Sequence, residues 1–311
     1  MKIVALAGGV GGAKLAEGLA QLLPPDELNI VVNTGDDFEH FGLYICPDMD
    51  TVCYTLAGLS NPETGWGRHG ETFHALESIQ ALGGPSWFRL GDKDLATHLE
   101  RTRRLRAGQS LDQVTKEFCQ AWGVRHTVLP MSNQPVRTMV NTCDHGELAF
   151  QEYFVHQGCE PKVTGFRFTG VESAMPAPGI LEAIDKADAI VFCPSNPWVS
   201  IDPILAVKGI RSALVAKTVV AVSPIIGGQT IKGPAAKIFN EMGIQPTPLA
   251  VVNHYAGLLS GFVFDNIDAN LERKIPIPVS ITQTIMKNQA GRYRLAQDVL
   301  NLIQKLRSAN L

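Results

Sequence analysis

The opening of the chain constrains its fold most. Residues 2–7 are a short apolar run, Gly8-Gly9-Val10-Gly11-Gly12 is a glycine-rich turn, residues 14–23 place apolar side chains at helical spacing, and residues 29–33 are a second apolar run. Strand, turn, helix and strand in that order make a βαβ unit, which restricts the chain to architectures with a parallel sheet. The same order returns late, with a run at 189–193, a helix expected over about 204–215, a strand over 218–223, a second glycine-bearing loop, and a helix over about 234–242. The expected class is therefore α/β, a Rossmann-like and mostly parallel sheet.

Two excursions interrupt it. Residues 51–122 read as a helical insertion, with helices at 51–59, 72–82, 95–107 and 111–122. Residues 136–168 are strand-rich, with Asp144-His145-Gly146 as a hairpin turn between strands at 136–141 and 147–155. No repeat or low-complexity tract divides the 311 residues, so a single domain over 1–311 is expected.

Lys and Arg number 27 against 30 Asp and Glu, without a block of either sign, so a nucleic-acid partner is not expected. The richest apolar stretch, residues 249–264, is broken by Asn253 and His254, too short a run for a membrane span. The six cysteines contain no C-x-x-C pair and the histidines no H-E-x-x-H, which fits a cytoplasmic protein without a structural zinc site.

In an open parallel sheet ligands bind beyond the carboxyl ends of the strands, and the loops expected there are chemically loaded. In the first, Gly9, Gly11 and Gly12 let backbone N–H groups approach an anion beside a helix N-terminus and Lys14, which suits phosphate. This loop is not a Walker A sequence, and Lys14 replaces the third glycine of a dinucleotide fingerprint, so an NAD(P) oxidoreductase lacks support. Next come Asn33-Thr34-Gly35-Asp36-Asp37 and Pro47-Asp48-Met49-Asp50-Thr51, the latter opening a helix. An Asp there can be a plain N-cap. Four carboxylates beside a phosphate loop, however, call for a divalent cation, and Mg²⁺ held by Asp36, Asp37, Asp48 or Asp50 and by substrate phosphate is the expected arrangement.

Arg89-Leu90-Gly91-Asp92-Lys93-Asp94 follows, with His98 one turn on, offering a cation and acid-base groups. Met131-Ser132-Asn133, Cys193-Pro194-Ser195-Asn196-Pro197 and Ser223-Pro224-Ile225-Ile226-Gly227-Gly228 combine rigid and small polar residues suited to a nucleotide.

Taken in order, the glycine turn, Asn33 to Asp37, Pro47 to Thr51, Gly91-Asp92-Lys93-Asp94, Pro194 to Pro197 and Ser223 to Gly227 resemble the 2-phospho-L-lactate transferase family over roughly residues 1–265. The resemblance implies an enzyme of coenzyme F-420 biosynthesis. Such an enzyme moves a phospholactyl, or related enolpyruvyl or glyceryl phosphate, group from a guanosine diphosphate-linked donor to 7,8-didemethyl-8-hydroxy-5-deazariboflavin (Fo), with Mg²⁺, releasing GMP. It implies Fo contacts at the second Asp of P-D-x-D-T and at the basic residue three before the Asp of G-D-x-D, here Asp50 and Arg89. Asp48 and Asp50 are the expected catalytic pair. Substrate contacts are further expected at Gly9, Gly11, Gly12, Lys14, Asn33, Thr34, Asp92, Lys93, Met131, Ser132, Ser195, Asn196, Pro197, Ser223 and Gly227. Where the family has Asp-Thr-x-Met near its C-terminus this chain has Gln283-Thr284-Ile285-Met286, so no role for that Asp transfers. Family and symmetry together imply a homodimer. The alternative is a nucleotide-sugar-binding regulator of the gluconeogenesis-factor type, which shares the glycine-rich start and the early Asp pair.

Overall fold

The computed structural model describes residues 1–309. Strand β1 (Ile3–Ala7) is buried at every position, as an unbroken apolar strand covered on both faces must be. Helix α1 (Gly9–Leu22) and strand β2 (Leu28–Val32) complete the expected βαβ unit, with Ala7 opposite Val32 in parallel register. The helix begins at Gly9 rather than Lys14, so the glycines form its first turn instead of a loop ahead of it.

The hairpin of β3 (Phe38–His40) and β4 (Leu43–Ile45) then leads into α2 (Pro47–Leu56). Helices α3 (His74–Ala81), α4 (Asp92–Arg106) and α5 (Leu111–Ala121) follow close to their expected places, and β5 (Thr127–Pro130) returns to the sheet beside β2. Strands β6 (Arg137–Thr142), β7 (Glu147–Ala149) and β8 (Val163–Thr169) make a small antiparallel sheet. The strand expected over 147–155 stops at Ala149, and Glu152–His156 is a helical turn. Phe150 and Tyr153 are both buried, and a three-residue spacing brings two side chains to one face of a helix but not of a strand.

The second half holds α6 (Ile180–Lys186), β9 (Ala189–Phe192), α7 (Asp202–Ala206), α8 (Ile210–Leu214), β10 (Val219–Val222) and α9 (Ala235–Glu241). It closes with α10 (Pro248–His254), β11 (Gly261–Asp265), β12 (Val279–Thr282) and α11 (Gln289–Ala309). The helix expected over about 204–215 is two helices, α7 and α8, because Gly209 adopts φ +88° and breaks the helical path between them.

The main sheet has seven strands in the order β12-β11-β10-β9-β1-β2-β5, every pairing parallel. From β1 the chain builds outward through β2 to β5, and later from β9 outward to β12. Strand order therefore reverses between β1 and β9, the place where such sheets bind ligands. One core, with Ile3, Ala5 and Ala7 of β1, is closed by α1 and α11, and the other, with Val4 and Leu6, by the helices between β8 and β11. Among the described residues no helix is long and apolar enough to cross a membrane.

Candidate active site

The site forms where the loops after β1, β2 and β9 meet at the strand-order reversal. Ser195 Oγ accepts from the Gly8 N–H at 3.2 Å and donates to the Gly8 carbonyl at 2.8 Å, tying the first loop to the one after β9. Gly9 N–H donates to Asp48 Oδ1 at 2.6 Å, which draws the start of α2 against the start of α1. A Cβ on Gly11 would lie 2.3 Å from the Pro194 carbonyl oxygen, so a side chain there forces the two loops apart. Gly11→Ala is expected to cost about 1–3 kcal/mol of stability. An unchanged urea midpoint would show that the 194–196 loop yields freely.

Asn33 organises the carboxylates. Its Nδ2 donates to Asp36 Oδ1 at 2.8 Å, Asp48 Oδ2 at 2.9 Å and the Val199 carbonyl at 3.1 Å, while its Oδ1 accepts from Gly35 N–H at 2.8 Å. Gln151 Nε2 holds the other Asp36 oxygen at 3.2 Å. Two carboxylates thus share one amide. Burial pushes Asp48 up to about 6 and, joined by the nearby charge of Asp48, holds Asp36 well above the usual carboxylate range.

Asp37 stands apart from this pair. It is buried, neither oxygen has a hydrogen-bond partner among the described residues, and burial raises it to about 7 even though Arg137 opposes the shift. An unfolded chain titrates Asp near 4. Ionisation therefore penalises the fold increasingly as pH rises from about 4 to about 7, and the penalty is absent below that window. Asp37→Asn is expected to raise the urea midpoint over the parent by clearly more at pH 8 than at pH 5. An equal offset at both values contradicts this.

Asp50 is bound at both oxygens by Arg101 of α4, through Nη2 to Oδ1 and Nη1 to Oδ2, the latter at 3.1 Å. Burial raises the Asp50 carboxyl and the guanidinium pulls it back. Arg101 Nη1 also lies 3.1 Å from His98 Nδ1 and 3.3 Å from the Tyr44 carbonyl. Asp94 accepts from the Tyr54 hydroxyl at 2.7 Å. Arg101 was not legible as a site residue, although Asp94, His98 and Arg101 occupy i, i+4 and i+7, one face of α4.

Ligand atoms of Asp50, Asp94 and His98 lie within 4.8 Å of one another, the one such trio among the described residues. Arg101 weakens it as a cation site, because the guanidinium already neutralises Asp50 and occupies His98 Nδ1.

Above these groups opens a cleft of ≈ 750 Å³, within the range of small-molecule sites. Gly8, Gly9, Gly11, Asp36, Asp48 and Asp50 line its polar side. Trp87 and Phe88, with ring centroids 5.7 Å apart, form one apolar wall, Phe150 and Phe154, stacked with centroids 5.4 Å apart, another, and Trp66 also lines the cleft. Arg89 is at the cleft, its guanidinium 4.5 Å from the Phe73 ring centre.

A smaller recess of ≈ 130 Å³ shares Gly11, Pro194, Asn196 and Lys232 with the cleft and adds Lys14, Ser223, Thr230, Thr284 and Met286. No acidic residue lines it. Lys14 reaches the Met286 carbonyl at 3.2 Å, and burial, followed by the charges of Arg292 and Lys232, lowers its pKa; with Lys14 and Lys232 both lining it, the recess suits an anion.

The remaining expected residues are more dispersed. Gly12 packs under Ser195, Asn196 caps the turn that starts at Pro197 through Trp198 N–H, and Thr34, Met131 and Ser132 are buried outside both openings. Asp92 caps α3 by accepting from His74 and Ala75 N–H, each at 3.1 Å, and Lys93 holds the His69 carbonyl at 3.1 Å, so both brace the segment beside the cleft. Gly227 N–H donates to Asp268 at 2.9 Å, away from the recess lining.

The family model for 2-phospho-L-lactate transferase CofD matches residues 3–305. A phosphoenolpyruvate transferase of Streptomyces griseus is 43% identical over 318 residues, covering 99% of this chain and 100% of that protein. One of Thermobifida fusca is 46% identical over 283 residues, covering 87% of this chain and 88% of the relative. A solved UPF0052-family protein from Bacillus halodurans shares the fold, with a TM-score of 0.64 and 17% identity over 96% of this chain and 98% of that one. The chain is thus a transferase, and it belongs to the 2-phospho-L-lactate transferase CofD family.

Proposed function

We propose that the protein transfers an enolpyruvyl phosphate group from a guanosine diphosphate-linked donor to the terminal ribityl hydroxyl of Fo, releasing GMP, in coenzyme F-420 biosynthesis. One observation carries this reading: the buried Asp36 and Asp48 pair at the glycine turn lies where a large aromatic-walled cleft adjoins a basic recess. A planar hydroxylated acceptor suits the cleft, the recess has room for a phosphate of the donor, and the two openings join at Gly11 and Pro194, beside the carboxylates on the cleft side. The choice of the enolpyruvyl donor over lactyl or glyceryl rests on the names of the relatives at 43% and 46% identity.

Asp36 and Asp48 fit Mg²⁺ better than the Asp50 trio does. They are all-oxygen donors facing the cleft, their buried charges have only neutral amide partners, and Mg²⁺ is commonly held by one or two carboxylates plus substrate phosphate. Bound there, the ion supplies neutralisation of charge on the diphosphate. Asn33 fixes both carboxylates, and the first turn of α1 directs backbone N–H groups and partial positive charge at the phosphates. Lys14 and Lys232 draw the guanosine phosphate into the recess. Asp50, its charge spent on Arg101, orients the attacking hydroxyl rather than stripping its proton, and phosphoryl transfer depends chiefly on positioning and electrostatics.

The test supplies Fo and Mg²⁺ with enolpyruvyl, lactyl and glyceryl diphospho-guanosine donors in parallel. The expected result is GMP release fastest with the enolpyruvyl donor and abolished by EDTA. Equal rates with all three donors would remove the donor assignment, and indifference to EDTA would remove the metal.

A further inference from the structure

Inside the cleft, beyond the carboxylates assigned above, two buried donors, Asn196 Nδ2 and His98 Nε2, have no partner among the described residues, and the second stands beside the Asp94 carboxylate. His98 is 1% exposed, yet its ring lines the cleft. Its Nδ1 lies 3.1 Å from Arg101 Nη1, and a guanidinium can only donate, so Nδ1 accepts and the ring proton resides on Nε2. Nε2 has no hydrogen-bond partner among the described residues. The carboxylate nearest to it, Asp94 Oδ1, is 3.5 Å away and already receives the Tyr54 hydroxyl at 2.7 Å. A buried donor left unmade is costly, and such a group at a cleft wall is accounted for when a ligand completes it.

We infer that His98 Nε2–H and the Asp94 carboxylate form a donor and acceptor couple that reads a cyclic imide edge, taking a ring C=O at His98 and the adjacent ring N–H at Asp94. This rests on the proposed deazaflavin acceptor, whose pyrimidinedione ring presents that pair. A phosphate or carboxylate is disfavoured at this place by the charge of Asp94, and a lone hydroxyl does not span both groups. The direction is also consistent: Asp50, 3.7 Å from His98, and Asp48, two residues before it on α2, lead from the couple back to the glycine turn, the path a ribityl chain needs. His98 and Asp94 are then specificity residues, and Arg101 is a positioning residue that fixes the tautomer.

The test titrates the full-length protein with Fo and with its N3-methyl analogue, which keeps the ring, the carbonyls and the ribityl chain but lacks the imide N–H. Wild type is expected to bind the methyl analogue about 30-fold more weakly, the scale of one hydrogen bond to a charged group. Asp94→Asn is expected to weaken Fo and to shrink that ratio to within about threefold. His98→Leu is expected to weaken both ligands alike by about tenfold, with His98→Gln, which keeps a donor, recovering most of it. A merely structural role would lower both affinities in Asp94→Asn and leave the ratio at its wild-type value. Equal binding of the two ligands by wild type overturns the imide couple while leaving the deazaflavin reading intact. No binding of either ligand overturns both.

Discussion

Asp48→Asn is expected to leave a folded protein whose turnover is lower by about three orders of magnitude. Asn can still accept the Gly9 N–H, so the contact between α1 and α2 survives. What it cannot do is contribute a negative charge beside Asp36, or accept from Asn33 with the atom that has become an NH₂ group. The carboxylate it replaces is raised to about 6, so its ionisation burdens the unliganded fold increasingly from about pH 4 to above 6, and the neutral variant escapes that burden. The loss of activity at pH 8 should therefore come without a loss of thermal stability that could explain it. Retained turnover and an unchanged Mg²⁺ dependence would move the phosphate-handling centre away from Asp36 and Asp48.

The second large effect falls on stability. Arg101→Leu removes the guanidinium that binds Asp50 and leaves a buried carboxylate facing His98 and Asp94, and breaking a buried pair in this way costs about 3–5 kcal/mol. Adding Asp50→Asn to Arg101→Leu should recover a good part of that cost, because the stranded charge is then gone. Urea midpoints of the two single variants and the double variant separate the contributions. Additive losses would mean that the pair does not stabilise the fold in the way its geometry implies. Arg101→Lys should fare worse than charge conservation predicts, since a lysine cannot reach Asp50 with two donors and His98 with a third in the same fixed plane.

The parts of the fold that could be read from the sequence are those in which local chemistry and tertiary role coincide. Ile3 to Ala7 is apolar throughout because β1 is covered on both faces, and Gly11 and Pro194 mark a place where two backbones nearly touch. The loops after β1, β2, β9 and β10 could be located because small and rigid residues end each apolar strand. The hairpin of β3 and β4 could not, since its tip is Phe41-Gly42 with φ +54° and +69°, and Phe stands where such turns favour Asn, Asp or Gly. Arg101 and His98 of α4 are buried because Asp50, fifty-one residues before Arg101, supplies the counter-charge. A pairing over that separation leaves no periodic trace. The aromatic walls share this difficulty. Trp87 and Phe88 lie between α3 and α4, and Phe154 lies in a turn that alternation assigned to a strand, so only the folded chain brings them to one cleft. Residues after about 265 carried no assignment, and they contribute β12, the long helix α11 and, at Thr284 to Met286, one wall of the recess.

The proposed transfer is tested most directly by the mass of the deazaflavin after a single turnover of purified protein with Mg²⁺, Fo and enolpyruvyl diphospho-guanosine. The account predicts that Fo gains the mass of one enolpyruvyl phosphate group while one equivalent of GMP appears. Fo recovered unchanged while the donor is consumed would contradict it, because the cleft would then not present the ribityl hydroxyl to the phosphorus held at Asp36 and Asp48.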